Sequence, residues 1–414
     1  MSHSIPNINQ QKGVSLLIFA ILVLTIAGGA FLLKNNNSSD LGIKSNQLTR
    51  QALGEAKLIL ENYSISFDPT GATNPAIGRL PFPDTSNGGF DGNANCFAGA
   101  LNNNLLIGRF PWLGTNTPCT NIPINAELRD GGNNHLWYVV SQNMVEHASN
   151  TNFGPDFLDP NLATHPGYLT VFDQSGNILS DRVAFIVFSP GNALNSQNRT
   201  SSAANNYLDS LNVPGQGNID NAVNDLRFVK AETTGSFNDQ LTFMTIDELM
   251  PKLTNRVLTE LKSLLIIHQT TVATGDYPLP TILGDLTHTC DQATALPFTG
   301  YGFIASSAGG ITPCTSFLTV PAYLNSWLDY IVYEPRQDCV NGVTGGCGKA
   351  ANANALTVNG VSNVDFVLMS TGFHTNGAFD INTDIDDIIN RTSDQIYITP
   401  TNNQAVTRDQ LIFQ

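Results

Sequence analysis

The chain has 414 residues with 19 Lys+Arg against 34 Asp+Glu, a formal net charge of −15, which excludes a basic nucleic-acid binder. At roughly 150 residues per domain the length suffices for two or three domains, and 41% hydrophobic residues exclude wholesale disorder. Charged residues make up only 13%, about half the usual share, so amides and hydroxyls solvate much of the surface, as suits the cell exterior.

Met1 to Gly13 is a polar leader whose single Lys or Arg is Lys12. Val14 to Leu33 follows, 20 residues without a charge, the length needed to cross ~30 Å of hydrocarbon as a helix. The segment reads as a transmembrane helix. A secretory signal would have a shorter apolar core and a small-residue exit, whereas this run ends Gly-Gly-Ala-Phe-Leu-Leu-Lys. Lys34, Lys44 and Arg50 follow the span and Lys12 precedes it, so flanking charge does not fix the orientation; long domains translocate largely regardless of it.

Polar residues ending in Lys12-Gly13, then Val14-Ser15-Leu16-Leu17 and an apolar run, resemble the class III leader of type IV pilins and type II secretion pseudopilins. The resemblance implies cleavage by a prepilin peptidase between Gly13 and Val14. The fifth mature residue, usually glutamate in that family, is Ile18 here; some large pseudopilins at the tip also lack the glutamate. A plain uncleaved signal anchor is the alternative reading of the same residues.

After a polar break at Asn35 to Asp40, Leu48, Ala52, Ala56, Ile59 and Tyr63 recur at intervals of three and four within Ser45 to Asn62. That spacing predicts an amphipathic helix with one face on the body. Then come Arg79-Leu80-Pro81-Phe82-Pro83-Asp84, a Gly/Asn-rich loop to Asn95, Gly108-Arg109-Phe110-Pro111-Trp112, Leu128-Arg129-Asp130-Gly131, Leu136 to Ser141, Val183 to Gly191, and Phe237-Asn238-Asp239-Gln240-Leu241. With the anchor and helix before it, this succession resembles a group of large bacterial pilin-like proteins over roughly residues 11 to 250. The resemblance implies association with type IV pilus or type II secretion machinery, with other pilin-like subunits or assembly proteins as partners. It implies no defined reaction.

The remainder reads as a second, diverged copy. Leu253 to His268 repeats Leu48 to Tyr63, both opening Leu-Thr with an Arg close behind, and Tyr277-Pro278-Leu279-Pro280 stands where Arg79-Leu80-Pro81-Phe82-Pro83 stood. Trp327 to Tyr333 echoes Trp137 to Val140, and Val364 to Ser370 echoes Val183 to Ser189. Periods this long indicate duplicated domains rather than a solenoid. Six cysteines agree: Cys96 and Cys119 lie 23 apart, Cys290 and Cys314 lie 24 apart, and Cys339 and Cys347 are close. Among 15 formal pairings, spacing favours those three as disulfides in an oxidising compartment, which puts the body outside the cytoplasm. A zinc site would want paired short spacings and nearby histidines.

The expected fold is therefore α+β: a transmembrane helix over 14–33, then two related helix-plus-antiparallel-sheet domains, 44–250 and 251–414. Expected strands are Leu136 to Ser141, Arg182 to Phe188, Leu241 to Thr245, Tyr330 to Tyr333, Asp365 to Met369 and Gln395 to Thr399, separated by Asn/Gly/Pro turns. Seven histidines are scattered, with no H-E-x-x-H, G-x-S-x-G or phosphate-binding glycine loop, so no catalytic residues are expected. Two acidic turns carry oxygens at the alternating positions calcium uses: Asp380, Asn382, Asp384 and Asp386 in one, Asp91, Asn93 and Asn95 in the other. Both lack the glycine and glutamate of an EF-hand, and acidic turns also serve simply as helix caps.

Two function classes follow. One is a non-enzymatic pilin-like subunit held by its N-terminal helix in the bacterial inner membrane, with its body in the periplasm. A head of ~350 residues is bulky for repeated stacking, which favours a minor or tip position. The other is a permanently anchored periplasmic or surface protein for binding or adhesion. Removal of Met1 to Gly13 belongs to the first alone.

Overall fold

The computed structural model describes residues 42–66, 77–85, 90–95, 103–115, 124–145, 168–194, 197–200, 202–272, 275–281, 302–306, 317–336, 356–358, 360–370, 396–397 and 410–413. The leader, Val14 to Leu33, all six cysteines and the loop from Asp380 to Asp386 lie outside them. Among the described residues no helix is long and apolar enough to cross a membrane.

The chain enters as a helix, α1, over residues 42–66. Good helix formers fill it, and Thr49, Ala52, Leu53, Ala56, Leu60 and Tyr63 form its buried face. The expected face is corrected at one position: Leu48 is 47% exposed, while Ser45 and Thr49 are the residues that meet the Gly131 turn. Short strands follow: β1 (Asn93–Ala94), β2 (Ile107–Arg109), β3 (Gly114–Thr115), β4 (Trp137–Val140), β5 (Leu169–Asp173) and the long β6 (Ile178–Ser189). Then come the hairpin β7 (Ser210–Val213) and β8 (Gly217–Asp220), β9 (Arg227–Lys230) and β10 (Gln240–Thr245). They make a sheet ordered β2-β4-β6-β5-β9, with β10 on the free side of β6. Every pair in it is antiparallel except β5 with β9.

The sheet is buried on both faces, which is why Val183 to Phe188 is continuously apolar rather than alternating. Tyr138, Val140, Phe185 and Val187 face the helices. Trp137, Val139, Ile186 and Phe188 face a second cluster that includes Tyr207, Leu208 and Phe228.

Helix α2 (Ile246–Thr271) follows β10 without a loop. Thr245 caps it, accepting from the Glu248 amide while Glu248 accepts from the Thr245 amide. Beyond it lie β11 (Pro280–Thr281), β12 (Phe303–Ile304), α3 (Ala322–Leu328), β13 (Ile331–Pro335), β14 (Leu356–Val358), β15 (Val361–Val364), β16 (Phe366–Ser370), β17 (Ile396–Tyr397) and β18 (Gln410–Phe413). The strands expected near 330, 365 and 395 are β13, β16 and β17.

Several contacts of the first half have a similar contact in the second. Tyr138 donates to the Pro81 carbonyl and Tyr333 to the Pro278 carbonyl, each at 3.1 Å. Gly108 pairs with Tyr138 and Gly302 with Tyr333. A Cβ on either glycine would run into the carbonyl of Asp84 or of Thr281. The Phe185 ring lies 6.3 Å from Tyr138, and Phe366 lies 6.4 Å from Tyr333. β14 pairs in parallel with β17, as β5 does with β9. β18 opens Gln-Leu beside Ser370 and Met369, as β10 opens Gln-Leu beside Ser189 and Phe188.

The two halves share one core. A single apolar cluster contains residues of α1, α2, the first sheet and the second sheet. α1 and α2 run side by side in the same direction, because their contacts keep one offset: Lys57 with Glu248 at 3.1 Å, Glu61 with Lys252, and the Ile65 carbonyl with Arg256.

Loss of either tyrosine hydroxyl leaves a buried proline carbonyl unsatisfied, at about 1–3 kcal/mol. Tyr138→Phe and Tyr333→Phe should therefore lower stability by similar amounts, measured as denaturant midpoints at unchanged slope.

Candidate functional site

Three segments singled out in the sequence meet at one place on α1. In the Arg129-Asp130-Gly131 turn, the Asp130 Oδ1 accepts the amides of Gly132 (2.9 Å) and Asn134 (2.8 Å), and its Oδ2 accepts the Ser189 hydroxyl at 2.8 Å. Asn134 Nδ2 then donates to the Gly191 carbonyl at 2.9 Å. Asn238 Nδ2 donates to the Asn192 carbonyl at 2.6 Å. The turn seats α1 directly, since the Gly131 amide donates to the Thr49 hydroxyl at 2.9 Å. A side chain at 131 would strike the Ser45 carbonyl.

Behind the turn lies a buried carboxylate pair. Asp239 Oδ2 accepts the Asp209 amide (2.8 Å) and Asn221 Nδ2 (3.1 Å). Asp209 Oδ2 accepts the Asn238 amide at 2.7 Å and its Oδ1 accepts Gln197 Nε2 at 2.8 Å. Arg199 lies over the Tyr207 ring at 4.7 Å and donates to the carbonyls of Pro190 and Gly191. Burial raises the pKa of Asp239 well above the ordinary carboxylate value, and the charge of Asp209 adds to it. Burial raises Asp209 too, against the amides it accepts. These contacts tie the excursion from residue 197 to 239 onto the sheet.

In front of the turn is a cleft of about 160 Å³ lined by polar groups that include Ser45, Thr49, Asn192 and Gln240. It adjoins a larger groove of about 480 Å³ that Arg50 and Lys230 help to line. This arrangement can bind through hydrogen bonds, and the Ser189 hydroxyl that donates to Asp130 is buried behind it, with Ser189 1% exposed. The two described histidines lie elsewhere. His135 stacks on Trp112 at 4.5 Å, and His268 sits in the last turns of α2.

Among the described residues no group of three metal-ligating side chains is present. In the Asp91 to Asn95 turn, Asp91 Oδ1 accepts the Asn93 amide (2.9 Å) and Asn95 Oδ1 accepts the Thr85 amide (2.6 Å). Those oxygens close the turn. The Gly92 amide goes to Asp84, whose buried carboxyl is pushed up to about 6, mainly by desolvation. Gly13 and Val14, the six cysteines, and Asp380, Asn382, Asp384 and Asp386 lie outside the described residues. Sequence reasoning did not single out Thr49, Gln197, Arg199, Asp209 or Asn221. In a chain so rich in Asn, Thr and Asp, nothing local distinguishes a buried amide or carboxylate from a solvated one.

No protein family, curated protein or solved structure matches this chain.

Gly131→Ala should force α1 from its seat and cost about 1–3 kcal/mol, read by thermal or chemical denaturation. A pH effect also follows. Asp84 titrates near 6 when folded and near 3.8 otherwise, so the folded state holds a proton that the unfolded chain has lost. Stability should fall as pH rises from 4 to 6 and stay lower above it. Asp84→Asn should make that fall shallower in urea midpoints taken across the range.

Proposed function

We propose that the chain is a non-enzymatic pilin-like subunit, a minor or tip component of a type IV pilus or type II secretion apparatus. It is built of two copies of one helix-plus-sheet unit. On this reading the apolar run Val14 to Leu33 anchors it in the bacterial inner membrane, with the body in the periplasm. The observation that carries the reading is α1. From Thr49 onward its buried face lies in the core beside an antiparallel sheet, Ile43 in its first turn is 66% exposed, and the apolar run lies just before it in the sequence. The repeated tyrosine–proline bonds, glycine approaches and strand pairings support two copies of one unit. The polar junction has the character of a structural joint beside a binding cleft, in keeping with a subunit that assembles rather than catalyses.

The polar cleft favours a second reading, a permanently anchored binding protein. Processing separates the two. Intact-mass and N-terminal peptide analysis of the protein from its native membrane should show a start at Val14 in cells with prepilin peptidase and at Met1 in cells without it. A Met1 start in both would reject the pilin-like reading.

A further inference from the structure

Asp209 and Asp239 are laced together through the backbone. The Asp209 amide donates to Asp239 Oδ2 at 2.8 Å, and the Asn238 amide donates to Asp209 Oδ2 at 2.7 Å. Asp239 is 1% exposed and Asp209 6%. Two neighbouring carboxylates taken out of water repel each other and lose hydration, so both stay ionised only where a cation is bonded to them. Arg199 is the cation whose field they share, and Asp130 shares it too. Its Nη2 donates instead to the Pro190 and Gly191 carbonyls and to Gln197 Oε1. Asp220, at the end of β8, adds further negative charge at Asp209. The Tyr207 hydroxyl is spent on the Arg199 carbonyl.

The bonding also says which oxygen takes a proton. Both oxygens of Asp209 accept, from Gln197 Nε2 and from the Asn238 amide. Asp239 Oδ2 accepts the Asp209 amide and Asn221 Nδ2, whereas the buried Asp239 Oδ1 meets no partner among the described residues. A proton on Asp239 Oδ1 displaces no hydrogen bond.

The pair fastens three places at once: the entry to β7, the exit of β8 through Asn221, and the approach to β10. Between them the excursion carries Tyr207, Leu208 and Phe228 onto Trp137, Ile186 and Phe188 of the sheet. The approach to β10 also reaches the polar cleft, because Asn238 donates to the Asn192 carbonyl and both residues line it.

We propose that Asp209 and Asp239 form a proton-dependent clasp: with a proton on Asp239 it holds the excursion on the outer face of the first sheet, and without that proton the excursion and the Asn238 side of the cleft loosen together. The sign follows from burial. The folded pair keeps a proton that a solvated carboxyl near 3.8 gives up, so the clasp is tightest in acid and weakens as pH rises from that ordinary value toward the folded one.

Hydrogen exchange of the full-length protein, read by mass spectrometry at pH 5 and pH 8 with each rate divided by its intrinsic value, tests this. Protection in peptides holding the Asp209 and Asn238 amides should fall at least tenfold between the two pH values, since each pH unit below the folded value is worth up to tenfold. Asp239→Asn keeps an acceptor at the Oδ2 position and puts an uncharged amide at Oδ1, so it should match the wild type at pH 5 and lose less than twofold by pH 8. Asp84→Asn removes the other raised carboxyl and should leave the fall in these peptides intact. Protection that is the same at both pH values in the wild type overturns the proposal. So does an Asp239→Asn protein that is unprotected at pH 5, or that still loses tenfold by pH 8.

Discussion

The structure depends on α2 being shared. Its first turns follow β10 directly and exchange ion pairs with α1 and with Arg182 of β6, while its last turns reach Tyr277 and the second sheet. Nine of its residues are buried, enough that neither sheet could lose the helix without exposing its own apolar face. The ion pairs along α1 are partly exposed and add little energy each. Their value is register: charges spaced four apart on both helices fit at one axial shift, and a slip by one turn would set Glu248 against Glu61.

A polar joint does for the excursions what α2 does for the two halves. The excursion from residue 197 to 239 covers the outer face of the first sheet, and it is anchored by carboxylates rather than by packing alone. Asp130 and Asp239 each gather donors from segments far apart in sequence. Burying such groups costs free energy unless their lone pairs are used. Two backbone amides and an asparagine amide meet Asp209 and Asp239 on their inner sides, and burial holds both carboxyls toward their neutral forms. The same joint fixes where α1 sits, through Gly131 and Thr49, so the docking of the helix and the covering of the sheet are one construction.

Much of the framework is legible in the sequence because its strands are apolar on both faces and its helices carry a 3.6-residue stripe. Val183 to Phe188 and Tyr330 to Tyr333 are such strands. Leu48 shows the limit of that logic. Its spacing is right for a buried face, and its counterpart Leu253 is buried, but burial needs a neighbour that the spacing cannot supply. β5, β9 and β14 escape a local reading, and each takes part in a parallel, non-local pairing, whereas β17, the partner of β14, is visible in its own residues. Of the polar joint, Asp130, Ser189 and Asp239 lie in segments that stand out individually. Their convergence comes from tertiary folding, and Asp209, Asn221 and Gln197 resemble every other polar residue in an Asn-rich chain.

The central claim is that the two sheets are one cooperative body through α2. Native-state hydrogen exchange of the full-length protein across a denaturant series tests it most directly. Slow amides of β4 and β6, of β13 and β16, and of α2 should converge on one opening free energy. Release of β13 and β16 at a clearly lower free energy, with β4 and β6 still protected, would contradict it.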